Sequence, residues 1–205
     1  RWTIAGSQNG TWGDEPDGLN DIICVRVADF DRTALRATID EPTMRAVTPS
    51  ERHGRVLHRG DLLLEKSGGG ELQPVGAVVQ YDHDTQAVCS NFVARVRVAP
   101  GFNARFLTYL HAHLYAGRIN TRSIKQTTGI QNLDAMAYFD ERAAWPPLPE
   151  QEAIAAWLDE RTRRIDVLVA AKRRLIDLLA RQIGARLSVD RQAGTTVSNE
   201  FPAAE

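Results

Sequence analysis

The residue types best suited to recognising another molecule lie in one polar stretch, residues 120–131, between two apolar segments. Proteins hold nucleic-acid phosphates with cationic side chains and read base edges with amides and hydroxyls. The stretch supplies both kinds of group, with Arg122 and Lys125 for phosphates, Gln126 and Gln131 for adenine, and Thr127 and Thr128 for either role. An ordinary polar surface loop has the same composition, so these residues are candidates for a DNA-binding site.

Two shorter segments add weaker candidates of the same kind. Lys66 and Ser67 follow an apolar run and precede glycines that would permit close backbone approach, although a simple hairpin turn fits equally well. Asn91 is a polar residue between Val88 and Phe92 in a segment that otherwise favours a strand. We therefore add Lys66, Ser67 and Asn91 to the candidate DNA-binding residues.

No arrangement of residues predicts catalysis. The glycine-rich run 67–70 follows a strand pattern but opens no helix, as a phosphate-binding loop would require. His111 and His113 are two apart, which on a helix places them on different faces, and His53 and His58 have no third metal ligand nearby. We predict no catalytic residue, no metal and no cofactor, and a hydrolase with an unrecognised site is the weakest alternative.

The charge balance limits how the chain could bind nucleic acid. Lys and Arg number 25 and Asp and Glu 26, a formal net charge of −1, whereas a free-standing nucleic-acid binder is often basic. Basic charge must then be local, or be supplied by a partner.

Cys24 and Cys89 both lie in apolar runs and predict buried small hydrophobes in a cytoplasmic protein. No apolar run reaches the roughly 18 residues that suggest a membrane span.

The first two thirds of the chain predict a mixed α/β domain. Apolar, β-rich runs indicate strands over 22–27, 75–81 and 87–98, and another beginning at Leu62. Residues 1–20 and 29–52 predict loops or irregular structure. Helical spacing then appears after Asn103, a plausible N-cap, with apolar positions at Phe106, Leu107, Leu110 and Leu114.

The last third predicts one long helix, from Glu150 to about Leu187, followed by a disordered tail. Apolar residues recur every three or four positions with charged residues between them, and neither proline nor glycine interrupts the pattern before Gly184. Such a stripe needs a partner, and a second long helix is the simplest one, with Lys172 on the seam. The predicted helix–helix interface comprises Ile154, Leu158, Ile165, Leu168, Leu175 and Leu179.

The sequence at the start of this helix resembles a known family. Residues 147–159, PLPEQEAIAAWLD, are similar to the segment that follows each target recognition domain in the specificity subunit of type I restriction-modification systems. Three upstream segments resemble the family's mid-domain strand, the strand after it and the polar turn before the last strand: 60–64 (GDLLL), 90–92 (SNF) and 128–133 (TGIQNL). The helix start is the specific part of the resemblance.

The resemblance implies a non-catalytic, cytoplasmic subunit that binds double-stranded DNA and recruits methyltransferase and endonuclease subunits. It implies a target recognition domain over 1–147, a spacer helix over 148–188 that pairs in an antiparallel coiled coil, and a tail over 189–205. The family's subunit usually carries two such domains. One domain would read half of a bipartite target, so we expect a half-subunit, associating through its helix, or a fragment of a two-domain chain.

Two alternatives remain besides the hydrolase. The chain could be the specificity segment of a fused restriction-methylation enzyme, which a longer native chain with a methyl-donor motif would indicate. It could also be a coiled-coil interaction protein without a DNA role, which would bind no duplex either alone or with a methyltransferase subunit.

Overall fold

The computed structural model describes the backbone of residues 1–127 and 129–196, and their side chains except those of residues 127 and 184–196. The strands in this part of the chain are β1 (Ile4–Asn9), β2 (Asp21–Val25), β3 (Phe30–Asp31), β4 (Arg36–Ala37), β5 (Met44–Ala46), β6 (Leu62–Glu65), β7 (Ser67–Gly68), β8 (Val78–Gln80), β9 (Ala87–Cys89), β10 (Val93–Val98), β11 (Ile124–Thr127) and β12 (Ile130–Leu133). The helices are α1 (Pro49–Arg52), α2 (Ala104–Ala116), α3 (Ala135–Phe139) and α4 (Leu148–Thr196), with 3-10 turns at Val27–Asp29 and Ile119–Ser123. This is the α/β domain and long helix that the sequence predicted.

A six-stranded sheet in the order β1-β10-β6-β8-β4-β3 forms the centre of the domain. Strand β6 is buried on both faces because successive side chains point to opposite sides of a strand. Leu62 and Leu64 pack with Phe106 and Leu107 of α2 in one apolar cluster, whereas Leu63 lies in a second cluster on the other side. Leu62–Leu64 therefore hold two layers together.

A smaller sheet, β5-β2-β9, contains both cysteines. Cys24 and Cys89 are fully buried free thiols, as predicted, and burial raises their pKa values to about 11 and about 12. Neither thiol is in the reactive thiolate form at neutral pH. These cysteines act as small apolar residues between strands.

The prediction of irregular structure over 1–20 and 29–52 was wrong in part. Strand β1 pairs antiparallel with β10 at the sheet edge, and its side chains are mostly exposed, so no apolar alternation revealed it. Strands β3, β4 and β5 have only two or three residues each and are held by pairing with neighbours. The short helix α1 did carry a local signal, because Thr48 and Glu51 form a capping box around its first turn.

Other predicted elements need smaller corrections. The predicted strand 87–98 is two strands, β9 and β10, separated by a turn at residues 90–92, and the strand predicted over 75–81 narrows to β8. The N-cap of α2 is confirmed, since the Asn103 side-chain oxygen accepts a hydrogen bond from the Phe106 N–H at 2.9 Å.

Helix α4 runs from Leu148 to Thr196, so the predicted disorder is wrong for residues 189–196; residues 197–205 lie outside the described part. The chain divides into two compact units, Arg1–Ala156 and Trp157–Glu205. The first turns of α4 belong to the first unit because Gln151 and Ala155 are buried there and Ile154 packs against the main apolar cluster. In the part of the chain described, every helix is too short or too polar to span a bilayer.

Candidate nucleic-acid interface

The sequence suggested a loop over the polar stretch 120–131, but the structure has regular elements there. The stretch comprises the 3-10 turn Ile119–Ser123 and most of a β-hairpin in which β11 pairs antiparallel with β12. Gly129, with φ of 85°, lies in the turn between the two strands, where a residue with a side chain would be strained. Lys125, Gln126 and Gln131 are therefore fixed by strand pairing, whereas Arg122 lies in the 3-10 turn.

Strand β7 joins the hairpin and completes a three-stranded sheet in the order β11-β12-β7. Ser67 pairs with Asn132 and Gly68 with Gln131, while the Leu133 N–H donates to the Lys66 carbonyl at 2.7 Å. The first two candidate segments, about 60 residues apart in sequence, thus form one surface.

The third candidate segment is adjacent. The Phe92 carbonyl accepts hydrogen bonds from the N–H groups of Lys66 at 2.8 Å and Ser67 at 3.3 Å. Asn91 and Phe92 are exposed in this turn and border a cleft of about 460 Å³, whose other walls are Trp12, Arg26, Val27, Ala28 and Ser90. All three segments chosen from sequence therefore meet in one region.

Strand alternation divides the hairpin into two faces. Directly paired residues of antiparallel strands have their side chains on the same side. One face carries Lys125 and Asn132, paired with each other, and Ile130, and it is exposed; Ser67 of β7 lies beside Asn132 on the same face. We call Ser67, Lys125, Ile130 and Asn132 the outer face of the sheet.

The opposite face points toward the core. Leu133 is buried and Ile124 packs partly against the main apolar cluster. Gln131 is also buried, and its side-chain oxygen accepts a hydrogen bond from the Val75 N–H at 3.2 Å, so the expectation that it lies on an exposed loop was wrong. Gln126 pairs with Gln131 on this side of the hairpin, although its own side chain is exposed.

Both basic residues of the polar stretch are paired with acids. Lys125 Nζ lies 2.7 Å from Asp134 Oδ2, and Arg122 Nη1 lies 3.4 Å from Glu141 Oε2. The hydrogen bond from Lys125 lowers the pKa of Asp134 below its usual value. Exposed pairs of this kind contribute about 0–1 kcal/mol to stability, so a phosphate could replace either carboxylate at small cost.

Lys66 is in a different environment, since its side chain is half-buried at the junction of β6 and β7. Burial lowers the pKa of its ammonium group below the usual value. A half-buried cation that has lost part of its hydration gains more from a nearby anion than a fully exposed one does. Lys66 is therefore well suited to contact a phosphate.

Two predicted residues remain, Thr127 and Thr128. Thr127 ends β11, with only its backbone described, and Thr128 lies outside the described residues. Sequence reasoning missed Ile130 and Asn132, which share the outer face with Lys125. The signal that could have found them was a two-residue alternation around Thr128-Gly129, recognisable as a hairpin.

The described residues contain no group of three or more His, Cys, Asp or Glu side chains placed to hold a metal ion. His111 is buried and bonded through Nδ1 to the Tyr138 hydroxyl at 2.8 Å, which is a structural role.

Helix α4 beyond Ala156 presents a stripe of exposed apolar side chains. Leu168 is 61% exposed, and other large apolar residues that are 41–63% exposed are Trp157, Ile165, Val167, Val169, Leu175, Ile176, Leu178, Leu179 and Ile183. Four of the six predicted interface residues belong to this stripe, and Leu158 is half-buried. Ile154 differs, because it packs against the first unit's own core.

Solved structures with a similar fold come from type I R-M proteins. A chain from a structure on complex assembly and conformational transition of the type I R-M system superposes with a TM-score of 0.54 at 20% identity, covering 82% of this chain and 39% of that one. The HsdS subunit from Thermoanaerobacter tengcongensis gives a TM-score of 0.48 at 20% identity, covering 83% and 39%.

The fold is one found in the type I R-M system. This chain spans about two fifths of the length of these relatives. No family model and no curated protein matches its sequence.

Proposed function

We propose that this chain is the DNA-recognition part of a type I restriction-modification specificity subunit, reading one half of a bipartite target in double-stranded DNA. One observation carries the proposal. Three polar segments that are distant in sequence converge on one exposed surface, in a domain with a type I R-M fold. Chance surface loops would have no reason to meet in this way.

The surface offers separate groups for positioning and for reading. Lys66, Arg122 and Lys125 supply cations for phosphates, which fix a protein's register on the duplex. The amides of Asn91 and Gln126 supply hydrogen-bonding groups for base edges, whereas the Ser67 hydroxyl donates to Asn132 Oδ1 at 2.7 Å. Thr127 and Thr128 keep their predicted role of contacting either phosphates or bases. Gln131 is buried and is left out.

The exposed stripe of α4 has a second role in the proposal. An apolar stripe of this length on a charged helix is typical of coiled coils, and we propose that it pairs antiparallel with a second long helix. The paired helices would space two recognition domains along the duplex and provide a docking surface for methyltransferase and endonuclease subunits. Partner subunits would also supply phosphate contacts, which suits a net charge of −1.

The alternatives predict different behaviour. A specificity segment of a fused enzyme would bind DNA in the same way but would belong to a longer chain with its own methyl-donor site. A coiled-coil protein without a DNA role would associate through α4 and bind no duplex. The outer face of the sheet favours a DNA role, since helix pairing alone has no use for it.

The test is co-expression with methyltransferase subunits, followed by methylome sequencing and gel-shift assays on the motif found. We expect Lys125→Gln to weaken binding to all duplexes and to reduce the slope of log affinity against log salt by about 1. Arg59→Gln is the matched control, because Arg59 is a half-exposed cation in ion pairs with Asp82 and Asp84, outside the candidate interface.

Failure of the wild-type complex to methylate or bind any duplex would refute the proposal. An equal loss in Lys125→Gln and Arg59→Gln would refute the assignment of the surface.

A further inference from the structure

The outer face of the β11–β12 hairpin carries one cation, one exposed apolar side chain and one amide close together. Lys125 pairs with Asn132, and Ile130, which is 53% exposed, precedes Asn132 by two residues on the same strand. A large apolar side chain at an exposed hairpin end is unfavourable in water alone, but it is useful against the thymine methyl group or the faces of bases.

Asn132 is held in a defined orientation. The Ser67 hydroxyl donates to Asn132 Oδ1 at 2.7 Å across the β12–β7 pair. This bond uses one of two lone pairs on Oδ1. Among the described residues, Asn132 Nδ2 has no hydrogen-bond partner, so the donor group and the second lone pair remain free on an exposed side chain.

We propose that the outer face of the sheet lies against the major groove and that Asn132, positioned by Ser67, reads an adenine. Asn132 Nδ2 donates to adenine N7, and the second lone pair of Oδ1 accepts from the adenine N6 amino group. Lys125 contacts a flanking phosphate, and Ile130 packs against the neighbouring bases. This inference rests on the proposed function and adds the groove, the base and the residue that reads it.

Dimensions decide the groove. Paired strands lie about 4.8 Å apart, so the backbones of β11, β12 and β7, which are all paired at Asn132, span roughly 10 Å. The major groove, about 12 Å wide, can accept side chains from a face of this width, whereas the minor groove, about 6 Å wide, cannot. The amide chemistry selects the base, because only adenine presents an acceptor at N7 beside a donor at N6 in that groove.

The test uses base analogues in the duplex identified by methylome sequencing, bound by the complex with its methyltransferase subunits. Replacing each adenine in turn by 7-deazaadenine removes N7 alone. We expect one position at which the wild-type complex loses binding by about 5-fold to 150-fold. Asn132→Ala should lose a similar factor on the natural duplex and be insensitive to 7-deazaadenine at that position.

Two further variants separate reading from folding. Asn132→Asp has the same shape and can still accept from Ser67, but it has no N–H donor, so it should also lose the adenine preference. Ser67→Ala should weaken binding while keeping the preference, and Ser67→Thr should restore it, because Ser67 only positions Asn132. Gln86→Ala, an exposed amide in the turn before β9, is the matched control and should bind like the wild type.

Three results would overturn the inference. One is equal sensitivity of the wild type and Asn132→Ala to 7-deazaadenine at every position. Another is normal binding by Asn132→Asp. The third is sensitivity to 3-deazaadenine alone, which would place the contact in the minor groove while leaving the proposed function intact. Failure of the wild-type complex to recognise any sequence would remove both the proposed function and this inference.

Discussion

Gln151 is the clearest case in which one side chain holds two parts of the first unit together. It is 1% exposed. Its side-chain oxygen accepts from the Asn103 N–H, at the N-cap of α2, at 3.0 Å, and its amide nitrogen donates to the Pro146 carbonyl at 2.8 Å. The start of α4 is thereby fixed to α2 and to the segment before it. We predict that Gln151→Ala destabilises the first unit substantially.

The magnitude follows from what the substitution removes. Two neutral hydrogen bonds contribute about 1 kcal/mol each, and the lost buried methylene about 0.8 kcal/mol. The expected loss is therefore about 2–3 kcal/mol, out of a total of about 5–15 kcal/mol for a typical protein. For a domain of this size the melting temperature should fall by roughly 5–10 °C.

Gln151→Glu sharpens the test because it keeps the shape and the oxygen that faces Asn103. Its ionised carboxylate has no donor for the Pro146 carbonyl and is buried, so the variant should be at least as unstable as Gln151→Ala at pH 7. The pKa of the introduced carboxyl group should be higher in the folded protein than in the unfolded protein. The destabilisation of the variant should therefore be absent well below the unfolded-state pKa and grow as the pH rises through the folded-state pKa.

Urea unfolding followed by tryptophan fluorescence and circular dichroism measures these changes. Glu152→Ala, at an exposed position in the same helical turn, is the control and should change stability by less than about 0.5 kcal/mol. A Gln151→Ala protein as stable as the control would refute the view that these two hydrogen bonds fix the helix start.

Two further predictions concern pH and association. Burial lowers the pKa of His111 from 6.5 to about 4. Between these pH values His111 binds a proton in the unfolded protein but not in the folded one, so the folded state loses stability as pH falls from 6.5 toward 4. Wild type should lose about 2 kcal/mol more than His111→Gln between pH 8 and pH 5 in urea unfolding, and equal losses would contradict this. Leu168→Asp with Leu175→Asp, at residues 61% and 56% exposed, should abolish self-association or partner association measured by light scattering without changing the first unit's melting. Unchanged oligomeric size, or the same loss in an Ala170→Asp control on the other side of the helix, would count against it.

The strands and helices with strong local patterns were predictable, and those made by pairing were not. Leu62–Leu64 and the spacing of Phe106 and Leu107 contain their own burial pattern, so periodicity found them. Strand β1 has largely exposed side chains and exists because β10 offers it hydrogen bonds. Strand β1 carries almost no apolar signal because most of its side chains are exposed.

The candidate site was predictable in residue types but not in arrangement. Lys66 and Ser67 were identified as polar residues beside glycines at the end of a strand, and Lys125 as a cation in a polar stretch that could contact phosphates. Their convergence depends on the pairing of β7 with β12, a long-range contact that no local pattern contains. The same pairing decides that Asn132 is exposed and Gln131 is buried, which inspection of a polar stretch cannot distinguish.

The alternation of the hairpin also suits it to changing what it reads. Ile124, Gln131 and Leu133 face the core or bond to it, and they hold the sheet in place. Lys125, Ile130 and Asn132 point the other way, so their replacement removes no core contact. Because adjacent residues of a strand serve opposite faces, the target sequence could change at alternate positions while the fold stays the same. Exchange of Asn132 and Ile130 together should therefore alter specificity at adjacent base pairs and leave the melting temperature within a few degrees of the wild type.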